Sequence, residues 1–300
     1  YNINEIKGLI ELKNKIIKGL FFICFIFNIL FCFNNNHNDN NKNRDTIFIA
    51  SFNALRLGEK EKDYKTLAKI LSKYDLIGLQ EIMNNKGLKK LKGHLEKLTK
   101  EKWEYIISEN SVGSENYREY YGYIYRKSLF SDVQSLGFYK EKNENEFMRE
   151  PYAAYFKAKN FDFVYVLAHS VFGDNEKQRL IEGSNYVSVY KYFIEISKEE
   201  DIILAGDFNL RADSPVFKNL KLRYNVEYLL EPSENLTTIS DNKLVNSYDN
   251  FFINKEKTKE YTGNSGVYNF IKENNYQEIK KYISDHLPIY SEYYIIEDDD

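Results

Sequence analysis

The sequence predicts a single α/β domain over residues 46–294, with sheets inside and helices outside. Three observations predict it. Apolar runs of strand length alternate with stretches whose apolar residues recur at helical spacing. No repeat and no linker-like break interrupts residues 46–294. Of 300 residues, 43% are apolar and 29% charged, the balance of a globular protein large enough to need no disulfide or metal staple.

The elements follow in order. Thr46–Asn53 reads as a strand ending on a polar residue. Asp63–Lys73 reads as a helix, with Leu67, Ile70 and Leu71 on one face behind an aspartate cap. Asp75–Glu81 is a second buried strand that stops at a polar pair, and Leu88–Lys100 is an amphipathic, Lys-rich helix. Strands are predicted at Trp103–Ser108, Tyr121–Arg126, Val133–Tyr139, Tyr152–Ala158 and Phe161–His169. The alternation in Tyr120–Tyr125 reads as a half-buried strand. Glu176–Ser197 is a long helix. Asp201–Gly206 is an apolar strand leading into Asp207-Phe-Asn209, and Tyr248–Ile253 and Leu287–Tyr294 close the chain.

The N-terminus has a different character. Basic residues Lys13–Lys18 precede Gly19–Phe33, apolar except for Asn28. Residues 1–33 therefore read as a secretory signal peptide or an N-terminal membrane anchor, which predicts a secreted protein or one tethered on the extracytoplasmic side. Residues 34–45 read as an Asn-rich linker and 295–300 as an acidic tail. Cys24 and Cys32 both lie in the apolar run, which excludes a disulfide scaffold or four-cysteine zinc site in the body of the chain. Formal net charge is -3, and 36 basic and 41 acidic residues remain once residues 1–45 are set aside. A broadly basic nucleic-acid binder is excluded; a protein that meets phosphate through metal ions is not.

Polar residues gather where strands end. Asn53, Glu81, His169 and Asp207 with Asn209 terminate four strands, and Ser284-Asp285-His286 opens the last. Two carboxylates with two amides make a hard oxygen site suited to Mg²⁺, Mn²⁺ or Ca²⁺. No His-x-x-x-His or Cys-x-x-Cys pair competes for zinc. A histidine beside a carboxylate activates water or protonates a leaving oxygen, so the set points to phosphoester hydrolysis by in-line attack. Plainer readings compete residue by residue. His169 on an apolar strand also suits a satisfied core histidine, Asp207 and Asn209 suit turn chemistry, and Arg149 beside Glu150 suits a surface ion pair. The Lys-rich helix reads as a solvated face, with His94 pointing outward from it.

Ser51-Phe-Asn53, Leu79-Gln-Glu81, Ala205-Gly-Asp-Phe-Asn209 and Ser284-Asp-His-Leu-Pro288 stand in the order and approximate spacing of a known superfamily. Over residues 46–294 the chain resembles the metal-dependent endonuclease/exonuclease/phosphatase superfamily. Met148-Arg-Glu-Pro-Tyr152, Tyr117-Arg-Glu-Tyr-Tyr121 and Tyr248-Asp249 resemble its deoxyribonuclease I branch, in a bacterial form. That resemblance implies a four-layer sandwich of two mixed, mostly antiparallel sheets flanked by helices. It implies His169 as general acid oriented by Glu119, and His286 paired with Asp249 as general base or phosphate ligand. Glu81 and Asp285, with Asn53 near, would hold Mg²⁺ (Mn²⁺ or Ca²⁺ as alternatives). Asp207 and Asn209 would hold a second ion or touch the scissile phosphate. Arg149 would bind phosphate, Tyr117 would lie along the groove, and Thr238 would contact phosphate or ion. The implied partner is DNA, met by a monomer through phosphates with little sequence preference. A sphingomyelinase-like phospholipid phosphodiesterase, another phosphatase of the superfamily, and a catalytically silent binding module keeping the fold are the alternatives. The animal members' disulfide near the Asp-x-Asn motif has no counterpart here, so packing must replace it.

Overall fold

Strand β1 (Thr46–Leu57) is apolar on both faces, and its backbone is paired on both edges. It runs antiparallel to β13 (Ile289–Tyr294) and parallel to β2 (Leu76–Ile82). The parallel pairing needs a crossover, supplied by α1 (Tyr64–Leu71). Asp63 caps that helix by accepting the N–H groups of Lys65 and Thr66. The computed structural model describes residues 44–173, 176–272 and 275–296, and residues from Arg44 onward cluster as one compact unit.

Around β1 the first sheet adds β3 (Trp103–Ile107), β4 (Val112–Ser114), β5 (Tyr117–Arg126) and β12 (Tyr261–Val267) in the order β12-β13-β1-β2-β5-β3, with β4 on β5. The second sheet joins β6 (Asp132–Phe138), β7 (Tyr152–Ala158), β8 (Phe161–His169), β9 (Ile202–Asp207), β10 (Glu227–Tyr228) and β11 (Asp249–Ile253) in the order β10-β11-β9-β8-β7-β6. Its one parallel pair, β8 with β9, is bridged by the long helix α3 (Glu176–Ser197). The sheets face each other across Ile49, Tyr121, Tyr123, Phe156, Phe163, Tyr165 and Leu167. Buried tyrosines find acceptors there: Tyr165 donates to the Ala50 carbonyl at 2.9 Å and Tyr123 to the Tyr165 carbonyl at 2.6 Å. On the outer faces, α1 and α2 (Asn85–Thr99) cover the first sheet through Leu67, Leu71, Leu88 and Leu91. Helices α3 and α4 (Lys218–Tyr224) cover the second through Tyr186, Val189, Phe193 and Leu220. This is the four-layer α/β sandwich that the resemblance implies.

The structure differs from the expectations in particulars. Strand β5 begins at Tyr117, so Tyr117 and Glu119 lie within a strand. Tyr120–Tyr125 is not half-buried: Tyr121 and Tyr123 face the second sheet, while Gly122 and Ile124 lie against the helix-covered side. His94 does not point outward but is half-buried and stacks on Tyr64, with ring centroids 5.9 Å apart. β12, α4 and α5 (Tyr276–Tyr282) were not foreseen, because short polar stretches such as Tyr261-Thr-Gly-Asn-Ser carry neither period clearly. In place of a disulfide, Phe208 packs edge-on against Tyr186, Phe217 and Phe252, with centroids 5.1, 5.7 and 5.0 Å away. The proposed leader (1–33), most of the linker and the acidic tail beyond Ile296 lie outside the described residues. Among the described residues no helix is long and apolar enough to cross a membrane.

One buried ion network ties the far edge of the first sheet. Arg126, about 1% exposed, pairs with Asp75 at 3.1 Å, donates to the Ser72 carbonyl at 2.6 Å, reaches Glu101 and lies over the Trp103 ring. Asp75 also accepts the Phe48 N–H at 2.9 Å. Arg44 Nη1 also reaches Asp75, at 2.7 Å, so removing Arg126 leaves the buried carboxylate one cation and takes away the buried one. Arg126→Met is expected to lower stability by about 2–3 kcal/mol in chemical denaturation, and a loss under about 1 kcal/mol would contradict this account.

Candidate active site

Strand register brings the site together. In the second sheet His169 lies opposite Asp207 across the β8–β9 pair, and Asp207 opposite Asp249 across β9–β11. Three functional side chains therefore sit in one row at the strand ends. Gly206 permits this closeness: with φ near 150°, a Cβ there would lie 1.9 Å from the Ala168 carbonyl oxygen. The first sheet supplies Asn53, Glu81 and Glu119. Ladder irregularities fall at Asn53/Leu57 and Leu79/Ile82, where bulges re-aim side chains. Glu81 and Asn209 adopt left-handed backbone, with φ of 56° and 50°, a strain of about 1 kcal/mol or more each that is typical of functional sites. Ser284 ties the final turn to β1 by donating to the Asn53 carbonyl at 2.7 Å.

Asp207 Oδ2 is the focus. Asn53 Nδ2 donates to it at 3.2 Å, His169 Nε2 lies 3.6 Å away and His286 Nε2 3.4 Å away. Behind each imidazole stands a second carboxylate: Glu119 Oε1 at 2.7 Å from His169 Nδ1, and Asp249 Oδ2 at 2.8 Å from His286 Nδ1. An ionised carboxylate only accepts, so each Nδ1 carries a proton and each Nε2 is turned to the shared centre. Burial disfavours both imidazolium ions, yet Glu119 for His169, and Asp249 with Asp207 for His286, outweigh it; both pKa values are raised, that of His286 strongly. The other Glu119 oxygen lies 3.2 Å from Arg149 Nε, so the Arg149–Glu150 surface pair does not form the main contact.

Glu81 is held on all sides. It accepts from Asn53 at 3.0 Å, the Arg56 N–H at 3.1 Å and the Tyr117 hydroxyl at 2.5 Å. Burial works against its charge, but His169, Tyr117, Asn53 and His286 bring its pKa below the ordinary value. Tyr117 lies beside Arg56 and Arg149, whose guanidinium carbons are 5.0 and 5.5 Å from its ring centroid. Asn209 donates its side-chain amide to the Ser170 carbonyl at 2.8 Å, and Arg149 reaches the same carbonyl at 3.4 Å. Thr238 pairs its backbone with His286, while its hydroxyl accepts the Asn246 N–H at 3.0 Å.

Asp285 and Glu81 share a neighbour that sequence reasoning missed. Lys62 is about 8% exposed and donates to the Ile283 carbonyl at 2.7 Å. Burial, helped by Lys60, pushes its pKa down to about 8, against the upward pull of Asp285 and Glu81. Its setting, Glu59-Lys-Glu-Lys-Asp63, reads as a solvated charged turn, and no signal marks Lys62 out. Two features bear on a cation. Asp285 Oδ1 is buried without a hydrogen-bond partner. Oxygen or imidazole atoms of Asp207, Asp249 and His286 also lie within 4.8 Å of one another.

Two carboxylate-backed imidazoles facing one centre at the open end of a sandwich define a class of protein, hydrolases that act on phosphoester bonds. Residues 50–286 match the Endonuclease/Exonuclease/phosphatase family, and the chain belongs to that family, in its deoxyribonuclease I-like branch. A deoxyribonuclease of Thioalkalivibrio sp. (strain K90mix) is 28% identical over 259 residues, 81% of this chain and 69% of that one. Deoxyribonuclease-1-like 1 of Mus musculus is 27% identical over 255 residues, 80% of this chain and 78% of that one. Among solved structures, D. rerio TDP2 complexed with single strand DNA product superposes with TM-score 0.56 at 21% identity, covering 83% of this chain and 99% of that one. A family protein from Leptotrichia buccalis C-1013-b gives TM-score 0.56 at 19% identity, over 82% and 98%. These two likenesses are of fold.

Glu119 is the largest influence raising His169, so Glu119→Gln is expected to lower the His169 titration midpoint. An NMR titration of the imidazole measures it; an unmoved midpoint would show that the pair is not electrostatically coupled.

Proposed function

We propose that the protein is a divalent-metal-assisted endodeoxyribonuclease that hydrolyses DNA phosphodiesters with little sequence preference. One observation carries this reading: His169 and His286, each backed by a carboxylate, turn their Nε2 atoms to the same Asp207 oxygen at 3.6 and 3.4 Å. Acid and base on either side of one centre suit in-line displacement at phosphorus. Relatives named deoxyribonucleases supply the substrate class. The features that would favour a phospholipid are weak, since the tyrosines of Tyr120–Tyr125 pack inside the sandwich instead of forming an exposed aromatic hairpin. The basic and apolar character of residues 13–33 supports a site of action outside the cytoplasm, with the protein secreted or anchored.

The proposed roles are these. His286, with Asp249 behind it, takes a proton from the attacking water. His169, oriented by Glu119, gives its Nε2 proton to the leaving 3′ oxygen as the P–O bond breaks. Arg149 binds the non-bridging phosphate oxygens of the bound substrate, Asn209 helps neutralise the charge that develops on them, and Tyr117 lines the groove beside two arginines. The donor set fits a hard cation, because Asp285 offers a buried carboxylate oxygen without a protein partner and Glu81 a second acid nearby. Bound there, Mg²⁺, or Mn²⁺ or Ca²⁺ in its place, would polarise a phosphate oxygen and offset the acidic groups' hold on the His286 proton.

The test mixes purified protein with supercoiled plasmid, sphingomyelin vesicles and an inositol phosphate, with Mg²⁺, with Ca²⁺ and with chelator. Nicking of plasmid that chelator abolishes is expected, together with a loss of at least about 10²-fold in His169→Ala and in His286→Ala. Cleavage of sphingomyelin alone would overturn the DNA assignment, and undiminished nicking by either mutant would overturn the acid–base assignment.

A further inference from the structure

Helix α3 carries a buried carboxylate that the reaction does not use. Glu182 is about 4% exposed. One of its oxygens accepts the Met148 N–H at 2.6 Å and the other the Val171 N–H at 2.7 Å. Met148 immediately precedes Arg149. Val171 follows Ser170, whose carbonyl receives both Arg149 and the Asn209 amide. One turn along the helix, the Tyr186 hydroxyl meets the Ser170 hydroxyl at 2.6 Å. Two loops next to candidate site residues therefore converge on one side chain.

Each N–H meets a different Glu182 oxygen, so a glutamine would turn its own NH₂ toward one of them. Burial, the largest influence, raises the Glu182 pKa, against the two N–H donors, Arg149 and His169. An ion held in so unfavourable a place needs a return. Arg149 leaves a stretch, residues 139–151, that has no helix or strand of its own, and turns inward to Glu119 at 3.2 Å. Its position depends on what grips that backbone.

We propose that Glu182 is a positioning residue, clamping the Arg149 loop to the loop after His169 and so setting Arg149 against the substrate phosphate. This rests on the reading that Arg149 binds phosphate. The clamp acts through Arg149 and touches neither substrate nor reacting atoms.

A double-mutant cycle on the full chain, with plasmid DNA as substrate, tests it. Glu182→Gln is expected to raise KM about tenfold while the protein stays folded by circular dichroism, and Glu182→Asp, which keeps the charge but reaches less far, should fall between. Glu182→Gln added to Arg149→Ala should then cost little more than Arg149→Ala alone, because coupled residues do not add. A control, Asn185→Ala, breaks another tie from the same helix to this stretch, the 3.1 Å bond to the Glu146 carbonyl, and should leave KM unchanged. Fully additive losses, or a fall in kcat with KM unmoved, would overturn the clamp. If Arg149→Ala itself leaves KM unchanged, the phosphate reading fails first, and the clamp with it. Should Glu182→Gln not fold, the Glu182→Asp cycle decides by the same criterion.

Discussion

Every functional side chain is arranged around the crowding of negative charge at one end of the sandwich. Glu81, Glu119, Asp207 and Asp249 lie within a few hydrogen bonds of one another, and Asp285 adjoins them through Lys62. Buried carboxylates tolerate such proximity only when cations and donors are interleaved. His169 separates Glu119 from Asp207, His286 separates Asp249 from Asp207, and Asn53 joins Asp207 to Glu81. Because the groups come from both sheets, the interleaving holds only while the sheets keep their register. The tight approach at Gly206 and the left-handed backbone of Glu81 and Asn209 are consequences of that requirement.

The same crowding shapes how the protein meets a polyanion. With more acidic than basic residues in the domain, long-range attraction is absent and local cations decide. Arg149 is poised beside the centre, and the Arg56 guanidinium also lies near the Tyr117 ring. A ring with two guanidinium groups beside it and its hydroxyl on Glu81 makes a local cationic lip.

Much of this was legible in the sequence, for a physical reason. A polar residue near the end of an apolar run stands out, so Asn53, Glu81, His169 and Asp207 were visible as departures, although β1 runs on past Asn53 to Leu57 and Asn53, His169 and Asp207 are buried. What was not legible lay where no period gives warning. Lys62 hides in a charged turn that looks solvated, and the short β12 and α5 carry too few residues for either period to emerge. Glu182 did leave a trace. It falls on the helical stripe of Tyr186, Val189 and Phe193, where an acid is out of place. Taking Glu176–Ser197 only as a long helix passed over it.

The two kinds of site residue are built differently, and the division has a physical logic. Of the two groups proposed to move protons, His169 ends the paired strand β8, and His286, bridged to Thr238, is backed by Asp249 on the paired strand β11, where a shift of a few tenths of an ångström is resisted by the ladder. Arg149, proposed to receive the substrate, stands in a stretch without regular structure that must admit a large polymer. Its own hydrogen bonds, such as the Phe147 N–H to Glu141 at 2.7 Å, close the stretch on itself, and its placement against the centre is not left to them. Precision is instead borrowed from helix α3, through Glu182 and the Ser170–Tyr186 contact. On that proposal the outer layer of the sandwich does more than cover a sheet: through Glu182 it ties together two loops beside the candidate centre.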